Sequence, residues 1–179
     1  MNATLYLYLK TPNPLLSSFL EGLYGPLSKH EGLISLPHLE EEGFTGEALL
    51  ELIISDFDVT LSLLETVPDH PYDEALLEDM MAHVPKGYYD LETLFLTITK
   101  RSNTLEARLK QTLAHLLTHE LIQTLLAFAA HQMNVSVTAK ALYMHRNTMH
   151  YRLSSVHKKT ALSPYRFETL ALFYRFFHA

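Results

Sequence analysis

Residues 134–160, NVSVTAKALYMHRNTMHYRLSSVHKKT, hold two helical patterns with almost nothing between them. In the first, Ser136 offers an N-cap, and Val137 and Ala141 stand four apart with Ala139 and Leu142 beside them, enough for about two turns. In the second, Met149, Leu153 and Val156 fall at i, i+4 and i+7 and form one narrow apolar stripe. Only Tyr143 and Met144 separate them before the next polar run. Helices this short do not persist alone in water. Other elements must therefore cover the stripe, and the two helices must meet at a tight turn with a small residue where they cross, a place that Ala139 can fill.

The flanks supply the cover. Upstream, Leu121, Ile122, Leu125, Leu126 and Ala129 form one stripe. Downstream, Ser163 and Pro164 read as an N-cap and first-turn proline ahead of Phe167, Leu170, Ala171, Tyr174 and Phe177. With these flanks the short pair becomes a four-helix unit of about 60 residues, a size that can fold alone. The helical reading begins at Asp90, a plausible N-cap, and runs through SNTLEARLKQTLAHLLTHELIQTLLAFAAHQ. It divides into a helical connector, 100–115, and a C-terminal all-α helix-turn-helix domain, 116–179.

Residues 1–99 read differently. Thr4–Leu9 alternates and is rich in strand formers, Gly32–Leu36 is a second short strand, and Val59–Leu64 a third. Helical spacing covers Leu15–Leu27, Glu47–Ile54 and Tyr72–Val84, with Pro68, Pro71, Pro85 and Gly87 as punctuation. The expected fold is an α+β N-terminal portion, regulatory or dimerising, joined to the all-α domain, with helix predominant overall.

Net charge separates the same two regions. The chain of 179 residues carries −6 overall, which by itself argues against a polyanionic partner. Residues 1–99, however, set three lysines against seventeen acids, or −14, and residues 100–179 set eleven basic residues against three acids, or +8. A split of this size marks the C-terminal region as the part suited to nucleic acid. The chain has no cysteine, which excludes a disulfide framework and thiolate chemistry. The N-terminal apolar run lacks a basic leader and meets prolines within a dozen residues, unlike a signal peptide. No apolar stretch reaches the roughly 18 residues of a membrane span, so the expectation is a cytoplasmic protein without a membrane partner.

The side chains of the second helix suit the major groove. His145, Arg146, Asn147, Thr148, His150, Tyr151 and Ser154 occupy its first turns and the face away from the apolar stripe, and Lys158 with Lys159 extends the positive charge. Arginine pairs bidentately with guanine and asparagine with adenine; threonine meets polar edges or a thymine methyl, and lysine neutralises phosphate. Arg146, Asn147 and His150 rank first as base-facing residues. Tyr151 and Arg152 have an alternative structural use, because a tyrosine ring and an arginine stem pack well against a neighbouring helix. His145 has an alternative use as a cap.

Several local strings also resemble a known family. They are the L-x-x-TL helix at Leu121–Leu125, the A-x-x-L pattern at Ala139–Leu142, HRNT at His145–Thr148, YRL at Tyr151–Leu153, and the Glu168 and Leu170 pair of the last helix. Together they resemble the C-terminal helix-turn-helix domain of the PucR/CdaR family of bacterial transcriptional regulators, over roughly Leu116–Phe177. The resemblance implies sequence-specific binding of double-stranded DNA as a homodimer, with an upstream portion that receives a signal such as a small-molecule effector. Two positions depart from that family: Tyr143 stands where a glycine or small residue is usual, and Ala161 where glycine follows the recognition helix. A bulky Tyr143 must point outward, toward the DNA backbone. The portion upstream, a little over 100 residues, is shorter than the domains that usually accompany this one.

Other chemistry finds less support. A protein-interaction module with a degenerate helix-turn-helix is the competing class. His115 and His119 lie i, i+4 and would share a helix face, but no third metal ligand is placed by the sequence. LIISDFDVTLS resembles the nucleophile loop of haloacid-dehalogenase-like phosphatases, with Asp56 and Asp58 as nucleophile and acid, yet the lysine and acidic pair that this chemistry needs are missing. Phosphate-cradling and dinucleotide motifs are absent. The expectation is a non-enzyme without catalytic residues, metal or cofactor.

Overall fold

The computed structural model describes residues 4–30, 32–37 and 45–178, without the side chains of His30 and Pro37. The ends of the expected N- and C-terminal regions, residues 1–3 and 179, lie outside the described residues. The chain divides into two compact units, Met1–Leu105 and Glu106–Ala179.

Unit 1 is α+β. Five strands, β1 (Thr4–Leu9), β2 (Ser28–His30), β3 (Leu33–Pro37), β4 (Leu61–Thr66) and β5 (Gly87–Asp90), form a mixed sheet in the order β2-β3-β1-β4-β5. Central β1 pairs antiparallel with β3 and β4, whereas β5 runs parallel to β4. Alternation along β1 decides the two faces. Leu5, Leu7 and Leu9 meet Leu16 and Leu20 of α1 (Pro14–Tyr24) and Leu49, Leu50 and Ile53 of α2 (Gly46–Phe57) in one buried cluster. Helices α3 (Glu74–His83) and α4 (Leu91–Ile98) complete the unit, with α3 packed on β1 and α4 on β4.

Local chemistry explains most of these boundaries. Asn13 caps α1 with Pro14 in its first turn, and Gly25 at φ 80° ends it before the expected Leu27. Asp90 caps α4 in a reciprocal capping box with Thr93. Strand β1 has the expected limits, but β4 begins at Leu61 rather than Val59, and β2 and β5 carry no alternation that marks them in the sequence. Both exist because a neighbouring strand offers them partners. Helix α2 runs past Ile54 through Ser55, Asp56 and Phe57, and Asp58 caps it at φ 47°. The apolar run before Asp56 is thus helix, which removes the strand that a phosphatase nucleophile loop requires.

Helix α5 (Asn103–Leu116) starts at the end of unit 1 and continues into unit 2, which is helical throughout: α6 (His119–Ala130), α7 (Val135–Ala141), α8 (Arg146–Thr160) and α9 (Phe167–Phe177) follow. Helix α6 packs on α8 and α9, and α7 on α8. Buried Leu121, Leu125, Phe128, Met149, Leu153, Val156, Leu170, Phe173 and Phe176 fill the space between them. No single helix among the described residues is long and apolar enough to cross a membrane.

Four expectations about this unit change. Asn134, not Ser136, caps α7 by accepting from the Val137 amide. Val137 and Ala141 face outward, and the buried residues of α7 are Thr138 and Ala139. The Thr138 hydroxyl donates to the Asn134 carbonyl at 2.7 Å, which makes a buried threonine acceptable there. Ser163 and Pro164 form a turn closed by the Arg166 amide on the Ser163 carbonyl at 3.2 Å, so α9 starts at Phe167 without a side-chain cap. The pair His115 and His119 is also split: α5 and α6 are bent by 113° at the break between them, so the two rings do not share a helix face. Their ring nitrogens meet the Gln111 carbonyl and the Gln123 amide instead. Among the described residues no cluster of metal-ligating side chains occurs.

Candidate nucleic-acid interface

Three helix ends position α8, and each is closed by the backbone. After α6, Gln132 and Met133 take positive φ, and the Met133 amide donates back to Phe128 O at 2.9 Å. After α7, Tyr143 takes φ 52° and the Met144 amide donates to Ala139 O at 2.9 Å. After α8, Ala161 takes φ 56° and donates to His157 O at 2.8 Å. The first two are Schellman closures, in which left-handed backbone just past the helix lets the chain reverse while the last carbonyls stay satisfied. The reversal at Tyr143 separates α7 from α8 by only Leu142–His145, and the small Ala139 just before it is buried, 3 % exposed.

Left-handed backbone costs a residue with a Cβ about 1 kcal/mol. Tyr143 and Ala161 are the two positions where the resembled family carries glycine or a small residue, and both prove to be left-handed. Tyr143 recovers nothing by packing, since it is 99 % exposed. The outward direction expected of it is the one it takes.

Helix α8 presents two opposed stripes with identical spacing. Met149, Leu153, Val156 and Thr160 are buried. Asn147, Tyr151, Ser154 and Lys158, at i, i+4, i+7 and i+11, lie on the opposite side and are all exposed. Arg146 and Thr148 flank this outer stripe in the first turn, also exposed. Among the described residues, the side chains of these six make no hydrogen bond or ion pair. The outer face of α8 is thus polar and cationic, with its hydrogen-bonding groups open to a ligand. Lys158 and Lys159 also oppose the helix dipole at the C-terminal end.

The remaining three expected site residues are engaged within the unit. His145 caps α8, its Nδ1 accepting from the Asn147 amide at 3.2 Å. The His150 ring meets the Tyr165 hydroxyl at 3.1 Å, and burial raises the pKa of that phenol. Arg152 reaches back to α6, donating to Thr124 Oγ1 at 3.2 Å and to the Glu120 carboxylate. Thr124 in turn donates to the Glu120 carbonyl at 2.8 Å. Arg152 therefore locks the orientation of α8 on α6. Its partners lie 28 and 32 residues away in sequence, so no local pattern could have announced them. Tyr165 had no sequence signal either.

Unit 2 as a whole carries nine basic residues against three acids, or +6, and unit 1 five against seventeen, or −12. A short, capped helix with an open cationic outer face on a positive unit is the geometry by which helix-turn-helix units enter a major groove.

A family model covers the same helices. Residues 121–178 match the family model of the PucR C-terminal helix-turn-helix domain. A solved structure described as a regulator of polyketide synthase expression from Bifidobacterium adolescentis aligns with a TM-score of 0.49 and 13 % identity, over 98 % of this chain and 79 % of that one. No curated protein matches the chain.

Proposed function

Because residues 121–178 form a PucR-type C-terminal helix-turn-helix domain, we propose that the chain is a transcriptional regulator that reads a DNA sequence with α8 in the major groove. The observation that carries this reading is the outer stripe of α8, whose polar side chains are exposed and unengaged among the described residues. In this reading Arg146, Asn147 and Thr148 meet base edges deep in the groove, since the N-terminal residues of a recognition helix enter furthest. Tyr151 and Ser154 follow along the same stripe. Lys158 and the Tyr143 hydroxyl reach phosphates on either side. Arg152, His145 and His150 hold α8 in place rather than read bases. A homodimer would set two α8 helices on half-sites about one helical turn apart. Acidic unit 1 lowers non-specific affinity by repelling phosphates and is the place for a small-molecule signal to act.

The test is binding of the full chain to duplexes selected from a random library, measured against salt. Specific binding should weaken steeply as salt rises. Arg146→Ala and Asn147→Ala should each cost about 1–3 kcal/mol and relax preference at one base pair, whereas Lys158→Ala should weaken all sequences alike and flatten the salt slope. No binding at low salt, or binding indifferent to Arg146→Ala, would end the proposal.

A further inference from the structure

Helix α8 carries a third stripe beside its outer one. Thr148, Arg152, Ser155 and Lys159 stand at i, i+4, i+7 and i+11, each one residue on from Asn147, Tyr151, Ser154 and Lys158. When a helix lies in a major groove, the residues beside its base-facing stripe look toward the groove walls, where the phosphates are. Arg152 therefore stands on a flank from which a long cationic side chain can meet phosphate in any sequence. It is turned away. Its guanidinium is directed at α6, one nitrogen to Thr124 Oγ1 at 3.2 Å and the other to the Glu120 carboxylate. Thr124 is fully buried and gives its own hydrogen to the Glu120 carbonyl, so its oxygen is left to accept from Arg152. Glu120 is placed differently: its side chain is 65 % exposed, against 22 % for Arg152. An ion pair this open adds little to stability, and α6 and α8 already pack through buried apolar residues.

We propose that Glu120 is a specificity-determining residue that acts through Arg152: its charge keeps the guanidinium off the phosphates, so that α8 is held on DNA by the bases it reads and not by an indiscriminate contact. The proposal rests on the DNA reading above. Its physical basis is an exchange that the carboxylate makes unfavourable. To reach a phosphate, Arg152 must give up one charge-assisted bond for another and leave Glu120 bare beside a polyanion. With a neutral acceptor in place of Glu120, the exchange replaces a weaker bond by a charge-assisted one and strands no charge. Non-specific binding is almost entirely electrostatic, so a freed Arg152 helps the wrong sequences most. Unit 2 has only three acids, Glu106, Glu120 and Glu168. Two of them sit on arginines, Glu120 on Arg152 and Glu106 on Arg175.

The experiment compares the full chain with its Glu120→Gln and Glu168→Gln variants, on a duplex selected by the wild-type chain and on an unrelated duplex, across a salt series. The two substitutions remove the same charge from the same place in a helix, since Glu120 and Glu168 are each the exposed second residue, of α6 and of α9. Glu120 holds an arginine of α8, whereas Glu168 forms no ion pair among the described residues. Glu120→Gln should raise affinity for the unrelated duplex about tenfold at about 50 mM salt and steepen its salt slope by about 0.9, as one added phosphate contact does. Affinity for the selected duplex should rise less, so the preference between the two shrinks. Glu168→Gln should give a smaller rise without the added slope. In a chain that already carries Arg152→Ala, Glu120→Gln should do no more than Glu168→Gln. A merely structural Glu120 would act in the other direction, with weaker binding to both duplexes, an unchanged slope and a lower thermal transition. That result, equal effects of the two glutamine substitutions, or a gain that survives Arg152→Ala would each overturn the proposal and leave the DNA reading standing. A wild-type chain that binds no duplex at low salt loses both.

Discussion

The two units spend their polar side chains in opposite ways. In unit 1 they tie distant pieces together: His70 meets the Tyr6 hydroxyl at 3.0 Å, Glu78 accepts from the Gly32 amide at 2.7 Å, and Tyr88 donates to Glu65. In unit 2 the polar residues of α7 and α8 divide, some closing helix ends and one, Arg152, bracing α8 on α6, while a whole stripe of α8 makes no bond among the described residues. Polar groups kept inward serve a unit that must hold a mixed sheet in register. Polar groups set outward, at 3.6-residue spacing, are useful only to something outside the chain.

The strongest way to break this contrast is to exchange the roles of the two stripes of α8. Leu153→Ala, at a fully buried position, should cost unit 2 about 2–5 kcal/mol in thermal or urea unfolding. Tyr151→Ala, two residues away and 74 % exposed, should change stability by less than about 0.5 kcal/mol and act on duplex binding alone. Comparable destabilisation by the two would mean that the outer stripe is packed after all.

Arg152→Ala should fall between them. It removes two hydrogen bonds to α6 and the packing of the stem, for about 1 kcal/mol of stability, and should weaken all duplexes alike because α8 loses its brace. A loss of preference at one base pair only would make Arg152 a base reader instead. Smaller still, Tyr143→Gly should stabilise unit 2 by about 0.5–1 kcal/mol, since glycine relieves the left-handed strain and no packing is lost; affinity for all duplexes should fall at the same time. Ala161→Gly should stabilise by a similar amount and leave affinity alone, so the pair separates backbone strain from contact.

The slightest signal lies in unit 1 and its pH dependence. Burial holds the His70 imidazole below its ordinary pKa, although Glu74 pulls it upward. A folded-state value below the unfolded one means that the unfolded chain binds the proton first. The contribution of His70 is thus complete above about pH 6.5 and declines as pH falls below that. His70→Gln should flatten the acid limb of the unit 1 transition, and an unchanged limb would place its origin elsewhere.

Much of the candidate site was legible because its determinants are local. The spacing of Met149, Leu153 and Val156, the polar block from His145 to Tyr151, and the small Ala139 all act within a few residues of themselves. The roles inside that block were less so. Arg152 and Asn147 look alike to a pattern of exposed polar residues, and only Glu120 and Thr124, brought close by the fold, take one inward and leave the other out. In unit 1 the strand β1 showed its alternation, but Ser28–His30 and Gly87–Asp90 have none to show. Their identity as strands comes from β3 and β4, which supply the hydrogen bonds.

The sequence by itself determined that the C-terminal region is helical, which side of α8 is apolar, and how the charge divides between the two regions. Caps, left-handed turns and periodicity are short-range effects, so a few neighbouring residues suffice. The tertiary structure decided which stripe of α9 faces inward. A helix with two apolar faces has no local reason to prefer either, and the stripe read from its spacing is divided: Leu170 is buried while Phe167, Ala171 and Tyr174 are left outside, because α6 covers the other face. Burial is a property of what packs against a face, and that is settled only when distant segments meet.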